Sequence, residues 1–247
     1  MVRIILSFLM NTIDGLGTRV GARLESWYGR LLETSILRIE KKSVSNSLQE
    51  AKMLYPFLRD YRDDGGLHSS FQMLKLLQLL VLLRSLKPQT IIEFGTGLTS
   101  VAIAIYQREC GCVVTQVDES AEYALKAKKL SGIRSELLIY ESQLELYESR
   151  IEISYRCEIL KNFDLAIVVG PDLTFEGIKY RTAINPNVRN MLRAGYGPKN
   201  VLIDGRDNTA LDLYRFGGYS LQNTSLRRIR LRTSKFSYWN VLGLAAT

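Results

Sequence analysis

At 247 residues the chain has room for one sizeable α/β domain with an extension, and is short for two independent domains. A hydrophobic content of 46% with 23% charged residues is that of an ordinary soluble globular protein and excludes a disordered or fibrous one. The formal charge of +8 is uneven: residues 174–247 carry 12 Lys/Arg against 4 Asp/Glu, residues 1–45 carry 7 against 4, and the stretch between is mildly acidic.

The basic C-terminal third suits either an anionic partner or a solvated arginine-rich face. Three cysteines do not make a disulfide framework in a chain this long. Cys110 and Cys112 flank Gly111 with no second Cys/His pair to complete a zinc site, and Cys157 stands alone. The expected setting is reducing and cytoplasmic, with all three as small apolar fillers.

Helical character dominates residues 1–60. "IILSFLM" near the start leads into Asn11 and Asp14 without a small-residue cleavage site, so a signal peptide is not expected. Residues 1–40 alternate apolar and basic positions around Trp27 and Tyr28. Two readings of them stay open: a helix lying peripherally on a membrane surface, or one that docks on this domain or builds a homo-oligomer. "DDGG" at 63–66 is the first clear break. The leucine-rich stretch 73–86 carries Lys75, Gln78 and Arg84 and falls well short of the ~20 apolar residues of a spanning helix. It reads as a buried helix that stops before Lys87-Pro88, because the residue before proline avoids helical geometry.

Strand and helix then alternate. Strands are predicted at 90–94, 112–117, 135–140, 163–170 and 200–205. Helices are predicted at 98–108 and 120–130, in the polar segment after the third strand, and over Arg181–Ala194. Continuous apolar strands are buried on both faces, which implies a parallel sheet covered by helices. Near the end, "SLRRIRLRT" sets Arg228, Arg230 and Arg232 on one face against Ile229 and Leu231 on the other, and "YWNVLGLAA" follows after a short turn. The expected fold class is therefore α/β: a doubly wound Rossmann-like sheet, mostly parallel, with a C-terminal antiparallel hairpin and an N-terminal helical extension.

In such a sheet a ligand sits beyond the carboxyl ends of the strands. "TIIEFGTGLTS", 90–100, puts Gly95 and Gly97 at that place. Glycine lets a ligand approach bare backbone, and the following helix offers free N–H groups. Glu93 ends the first strand, where a carboxylate would repel a pyrophosphate but accept an ammonium or sulfonium ligand. Asp118 ends the second strand about twenty residues on, where an acid can hold ribose hydroxyls. A G-x-G alone is equally a packing feature of a tight turn.

"IIEFGTGLTS" with "VTQVDES" resembles the first two motifs of class I S-adenosylmethionine-dependent methyltransferases, in the branch of small-molecule O-methyltransferases. "FDLAIVVGPD" and "VLIDGRDN" are similar to that branch's fourth- and fifth-strand motifs. The resemblance covers roughly Ser69 onward, so residues 63–247 form the methyltransferase-like α/β domain and 1–62 the helical extension. It implies S-adenosylmethionine as cofactor: Glu93 near its amino end, Gly95 and Gly97 beneath it, Thr96, Thr99 or Ser100 supplying hydrogen bonds, Asp118 on the ribose, Glu141 and Ser142 edging the adenine, and Gly170, Pro171 and Asp172 lining the pocket where cofactor and acceptor meet. Metal-dependent relatives carry an aspartate after strand four and an Asp-Asn pair after strand five. Here Val169 or Gly170 and Asp204-Gly205 stand there, so no metal is expected.

Methyl transfer needs alignment and sometimes a base. His68, the only histidine, and Asp172 are the candidates; a capping or turn role is the alternative for each. Tyr180, Arg181 and Arg206 would suit an anionic small-molecule or glycan-type acceptor, or else lie on an exposed amphipathic face. No RNA-binding module accompanies the arginine stripe, so nucleic acid is not the expected partner. Two other functions compete: a dinucleotide-binding Rossmann protein, and a non-catalytic binding or assembly protein that retains the fold.

Overall fold

The computed structural model describes Leu54 and residues 70–223 and 239–244. The predicted extension (save Leu54, which is helical and fully buried), His68 and the alternating arginines at 228–232 lie outside the described residues. The described chain opens with α1 (Ser70–Leu86), β1 (Thr90–Phe94), α2 (Thr99–Cys110), β2 (Val113–Asp118), α3 (Ala121–Ser131) and β3 (Ser135–Ile139). An antiparallel pair follows, β4 (Ser142–Tyr147) with β5 (Arg150–Tyr155). Then come β6 (Leu165–Val168), the two-residue strands β7 (Thr174–Phe175) and β8 (Ile178–Lys179), α4 (Asn187–Arg193), β9 (Asn200–Asp204), α5 (Asp207–Phe216), β10 (Tyr219–Asn223) and β11 (Trp239–Leu244).

Seven strands form one sheet in the order β10-β11-β9-β6-β1-β2-β3. The pairs from β9 to β3 are all parallel; β11 runs antiparallel to both β9 and β10. The path leaves β1 outward through β2 and β3, then returns to the other side of β1 at β6. The switch point therefore lies between β1 and β6, where such sheets bind ligands. This is the doubly wound α/β fold expected from the strand pattern.

Alternation along β1 divides the core. Ile91 faces α1 and α2 in a cluster with Leu76, Leu79, Leu80, Leu83, Val101, Ile105 and Trp239. Ile92 and Phe94 face the opposite layer with Val117, Tyr155, Val188, Met191 and Leu213. Each fully buried leucine contributes about 2 kcal/mol, and four of them hold α1 to the sheet. The helix ends as expected: Lys87 adopts φ 50 with its N–H on Leu83 O, and Pro88 follows. At the start of α3, the Ser120 hydroxyl accepts from the Tyr123 N–H.

Three expectations are corrected. The segment after β3 is a β-hairpin rather than a helix. Ile151, Ile153 and Tyr155 alternate with Glu152 and Ser154, and Glu148 and Ser149 turn the chain with φ 45 and 64. Two positive φ values in a two-residue loop match the right-handed twist of hairpin strands. The helix predicted over 181–194 occupies only Asn187–Arg193, because Ile184 is drawn into strand pairing with β5 through Ile153 N–H to Ile184 O and Ile184 N–H to Ile151 O, both 2.9 Å. The C-terminal antiparallel pair exists, but its first described strand is Tyr219–Asn223, ahead of the arginine alternation.

Candidate ligand site at the switch point

Because side chains alternate along a strand, Glu93 shares the face of Ile91 and points toward α2. It is fully buried. Its Oε1 accepts from Thr99 Oγ1 at 2.6 Å, and its Oε2 from Ser100 Oγ at 2.8 Å and Gln116 Nε2 at 2.6 Å. Gln116 stands opposite Glu93 in the β1–β2 register, and Ser135 donates to its Oε1 at 2.6 Å. Burial pushes the Glu93 carboxyl up to about 7; the bonds from Thr99, Gln116 and Ser100 oppose this, and Asp118 adds to it. Glu93, Thr99 and Ser100 thus come together, but on one another. The Glu93 side chain is turned toward the first turn of α2 and is closed off from solvent.

Gly95 has φ 87, and a Cβ on it would lie 2.3 Å from Gly170 N. Its bareness serves a backbone contact between the ends of β1 and β6, where Gly170 N–H also donates to Phe94 O at 2.6 Å. Among the described residues, a Cβ on Gly97 would meet only the Tyr123 ring, with the hydroxyl nearest at 3.2 Å. Between the glycines, Thr96 ties the loop to β2: its N–H and Oγ1 reach Asp118 Oδ2 at 2.7 and 2.6 Å. Asp118 Oδ1 accepts from Ser120 N–H at 3.0 Å. A carboxylate has about four lone-pair sites, so these three bonds leave Asp118 room for one more donor. Glu141 is exposed and Ser142 half-buried at the start of β4.

The far side of the rim is built by residues from three elements. Arg206, between β9 and α5, sends Nε and Nη2 to Val169 O at 3.0 and 2.6 Å, and Nη2 also to Pro171 O. Asn185 Nδ2 donates to Gly170 O at 2.7 Å. Tyr155 ends β5 with its ring stacked on Phe94, centroids 6.2 Å apart. Asn187 clasps its backbone, accepting from its N–H and donating to its C=O, both at 3.0 Å. A Cβ on Gly170 would lie 2.1 Å from Tyr155 Oη, so the phenol rests against that glycine. Burial, with Asp118 and Glu119 nearby, holds the phenol well above its usual range, so it is a neutral donor.

Asp172 is exposed, its N–H 3.3 Å from Glu119 Oε1. Asp204, at the end of β9, pairs with Lys75 of α1, which also lies 5.6 Å from the Trp239 ring centroid. Tyr180 follows the β7–β8 turn with its N–H on Leu173 O at 2.7 Å, and Arg181 is exposed. Among the described residues no group of three or more His, Cys, Asp and Glu could hold a metal ion. No described helix is long and apolar enough to cross a membrane.

Sequence reasoning missed Gln116, Tyr155, Asn185 and Asn187. Gln116 left a trace, a polar side chain inside an apolar strand. Tyr155 would have followed from the period-two pattern of its hairpin.

No protein-family model and no curated protein matches the sequence. Solved structures align with it. A putative caffeoyl-CoA O-methyltransferase from Staphylococcus aureus is 13% identical with TM-score 0.46, covering 87% of this chain and 100% of its own. A TehB-like SAM-dependent methyltransferase from Corynebacterium glutamicum is 16% identical with TM-score 0.44, over 80% and 99%. The O-methyltransferase TomG from Streptomyces achromogenes, solved in complex with SAM, is 12% identical with TM-score 0.43, over 78% and 90%. At such identities the likeness concerns chain path alone.

Proposed function

We propose that the protein is an S-adenosylmethionine-dependent methyltransferase that acts without a metal on a hydroxyl of a small or glycan-type acceptor. The observation that carries this reading is the Thr96–Asp118 tie. It joins the glycine loop after β1 to the acid after β2, and Asp118 keeps capacity for a ribose hydroxyl. The residues fit such a ligand. Among the described residues, Gly97 offers bare backbone shadowed only by the Tyr123 side chain, and Arg206 Nη1 is buried without a hydrogen-bond partner.

The bound cofactor would supply an electrophilic methyl group for the acceptor oxygen. Asp118 would orient the ribose. Glu141 and Ser142 would edge the adenine. Glu93 would act at one remove, holding Thr99 and Ser100 and so fixing the first turn of α2 beside the loop. Asp172, exposed at the rim, would accept the acceptor's proton, with His68 as the alternative base, while Tyr180 and Arg181 would meet the acceptor.

A second reading is a binding or assembly protein that keeps the fold without turnover. The carbonyls of Val169, Gly170 and Pro171 at the end of β6 are all taken by Arg206 and Asn185, which favours it. Calorimetric titration with S-adenosylmethionine, S-adenosylhomocysteine and a nicotinamide dinucleotide decides. Binding of the adenosyl pair, weakened tenfold or more by Asp118→Ala, is expected for the first reading. No binding of either leaves the second, and binding of the dinucleotide alone would sink both.

A further inference from the structure

An open strand margin pairs readily with another chain unless something blunts it. Both outer strands of the large sheet are blunted. The register of β10 is broken between Leu221 and Asn223, and on β3 the Lys128 Nζ covers Ser135 O at 2.7 Å. β4 has neither device. Its register with β5 runs unbroken from Ser142 to Tyr147, it holds no lysine or proline, and among the described residues no strand lies on its other side.

Two sets of bonds determine which groups β4 turns outward. Arg156 N–H donates to Glu141 O at 2.8 Å, so the odd-numbered residues of β4 bond to β5. On β5 the odd residues Ile151 and Ile153 bond Ile184 instead, in keeping with that alternation. Ser142, Leu144 and Leu146 therefore aim their N–H and C=O groups away from β5. Their side chains share one face, on which Leu146 is 75% exposed.

The opposite face carries charge that the chain leaves unanswered. Glu145 is exposed, and across from it stands Glu152, whose own carboxylate is held by Arg189. Arg156 is exposed on the same face, with its Nε on Gln143 Oε1 at 3.0 Å. Among the described residues neither Glu145 nor Arg156 makes an ion pair. An acid and a cation thus lie along one margin, each lacking what the other would supply.

We propose that β4 pairs antiparallel with β4 of a second copy of this chain, about a two-fold axis at Leu144. Outward groups meet only when even-numbered residues face even-numbered ones, and this centre lets Ser142, Leu144 and Leu146 all exchange backbone bonds. A centre at Gln143 or Glu145 would set Glu145 against the partner's Glu141 or the partner's Glu145, a like-charge opposition. At Leu144, Glu145 instead faces the partner's Gln143, beside the partner's Arg156, and the leucines of both copies form one row on the other face. The pairing is independent of the cofactor reading and stands whether or not an adenosyl ligand binds.

Sedimentation equilibrium of the full chain tests it, on wild type, Glu145→Arg, Arg156→Glu, the double reversal and Leu146→Pro, with thermal unfolding as the check on folding. Leu146→Pro removes an outward donor and spares the bonds to β5. An interface this small is expected to give a reversible dimer with a dissociation constant of roughly 1–50 μM. Each single reversal should weaken it about tenfold or more, the double reversal should restore it to within about threefold, and Leu146→Pro should weaken it as much as a single reversal. A wild type that stays monomeric at several hundred micromolar overturns the proposal. So does a dimer that none of these changes moves, or one that the double reversal fails to restore. Should Leu146→Pro not fold, the charge reversals decide alone.

Discussion

Among the described residues, acids are buried in two regions, one around the glycine loop and one across the sheet, and are answered in opposite ways. Behind the glycine loop, Glu93 is surrounded by neutral donors: two hydroxyls and an amide. Across the sheet, Glu152 and Asp212 are answered by Arg189, itself almost fully buried. Its Nη2 reaches both Glu152 oxygens at 2.7 and 2.8 Å, and its Nη1 reaches Asp212 at 2.8 Å. Arg150 continues the chain outward from Asp212 to Glu148. The ionic chain fastens the β4–β5 hairpin to α4 and α5, and so places Tyr155. Asp212 is still pushed above the ordinary carboxylate range by burial, though both arginines oppose the shift. The lesson is that a buried guanidinium fixes geometry across elements, whereas neutral donors leave a carboxyl that titrates within reach of neutral pH.

Breaking the ionic side should have the largest effect. Arg189→Met leaves Glu152 buried without its cation and Asp212 with Arg150 alone, and is expected to cost about 3–5 kcal/mol, read from the denaturant midpoint. If the loss is under about 1 kcal/mol, the clamp is not what holds the hairpin.

The neutral side should show itself through pH. Glu93 titrates near 7 when folded against 4.5 as the ordinary value. The unfolded chain therefore loses this proton first as pH rises. The contribution is complete below about pH 4.5 and is lost as pH passes through 7. Glu93→Gln should gain on wild type across that window by at most about 3 kcal/mol. A stability difference flat from pH 4.5 to 7.5 would contradict the neutral cage.

The smallest effect belongs to Arg150, at the half-exposed end of the ionic chain. Asp212 keeps Arg189 when Arg150 is cut to alanine, so chemical unfolding should register about 1 kcal/mol or less.

What could be read from sequence divides along similar lines. β1, α2, β2 and α3 were legible because apolar runs, the glycine turn and the Ser120 cap are all local signals. The direction of Glu93 was not taken from the alternation that determines it, although Ile91 and Glu93 are two residues apart. The hairpin was hidden for two reasons. "SQLELYES" is composed largely of good helix formers, and its turn is Glu148-Ser149 where Asn-Gly would have announced it. Its second strand also takes a bridge from Ile184, some thirty residues away, which no local signal announces. The placement of Arg206 just after the β9 strand was legible from the strand pattern. That its fork is spent on the backbone, with one nitrogen in reserve, depends on contacts across 35 and 37 residues.

The strand order has a consequence for synthesis. β11 lies between β9 and β10, although it is the last of the three to be made. While the chain emerges from the ribosome, residues 219–223 have no edge to join and β9 keeps one side unpaired. Both wait for Trp239–Leu244, so the growing polypeptide exposes an adhesive margin until that stretch is made, and any pause before it lengthens the exposure.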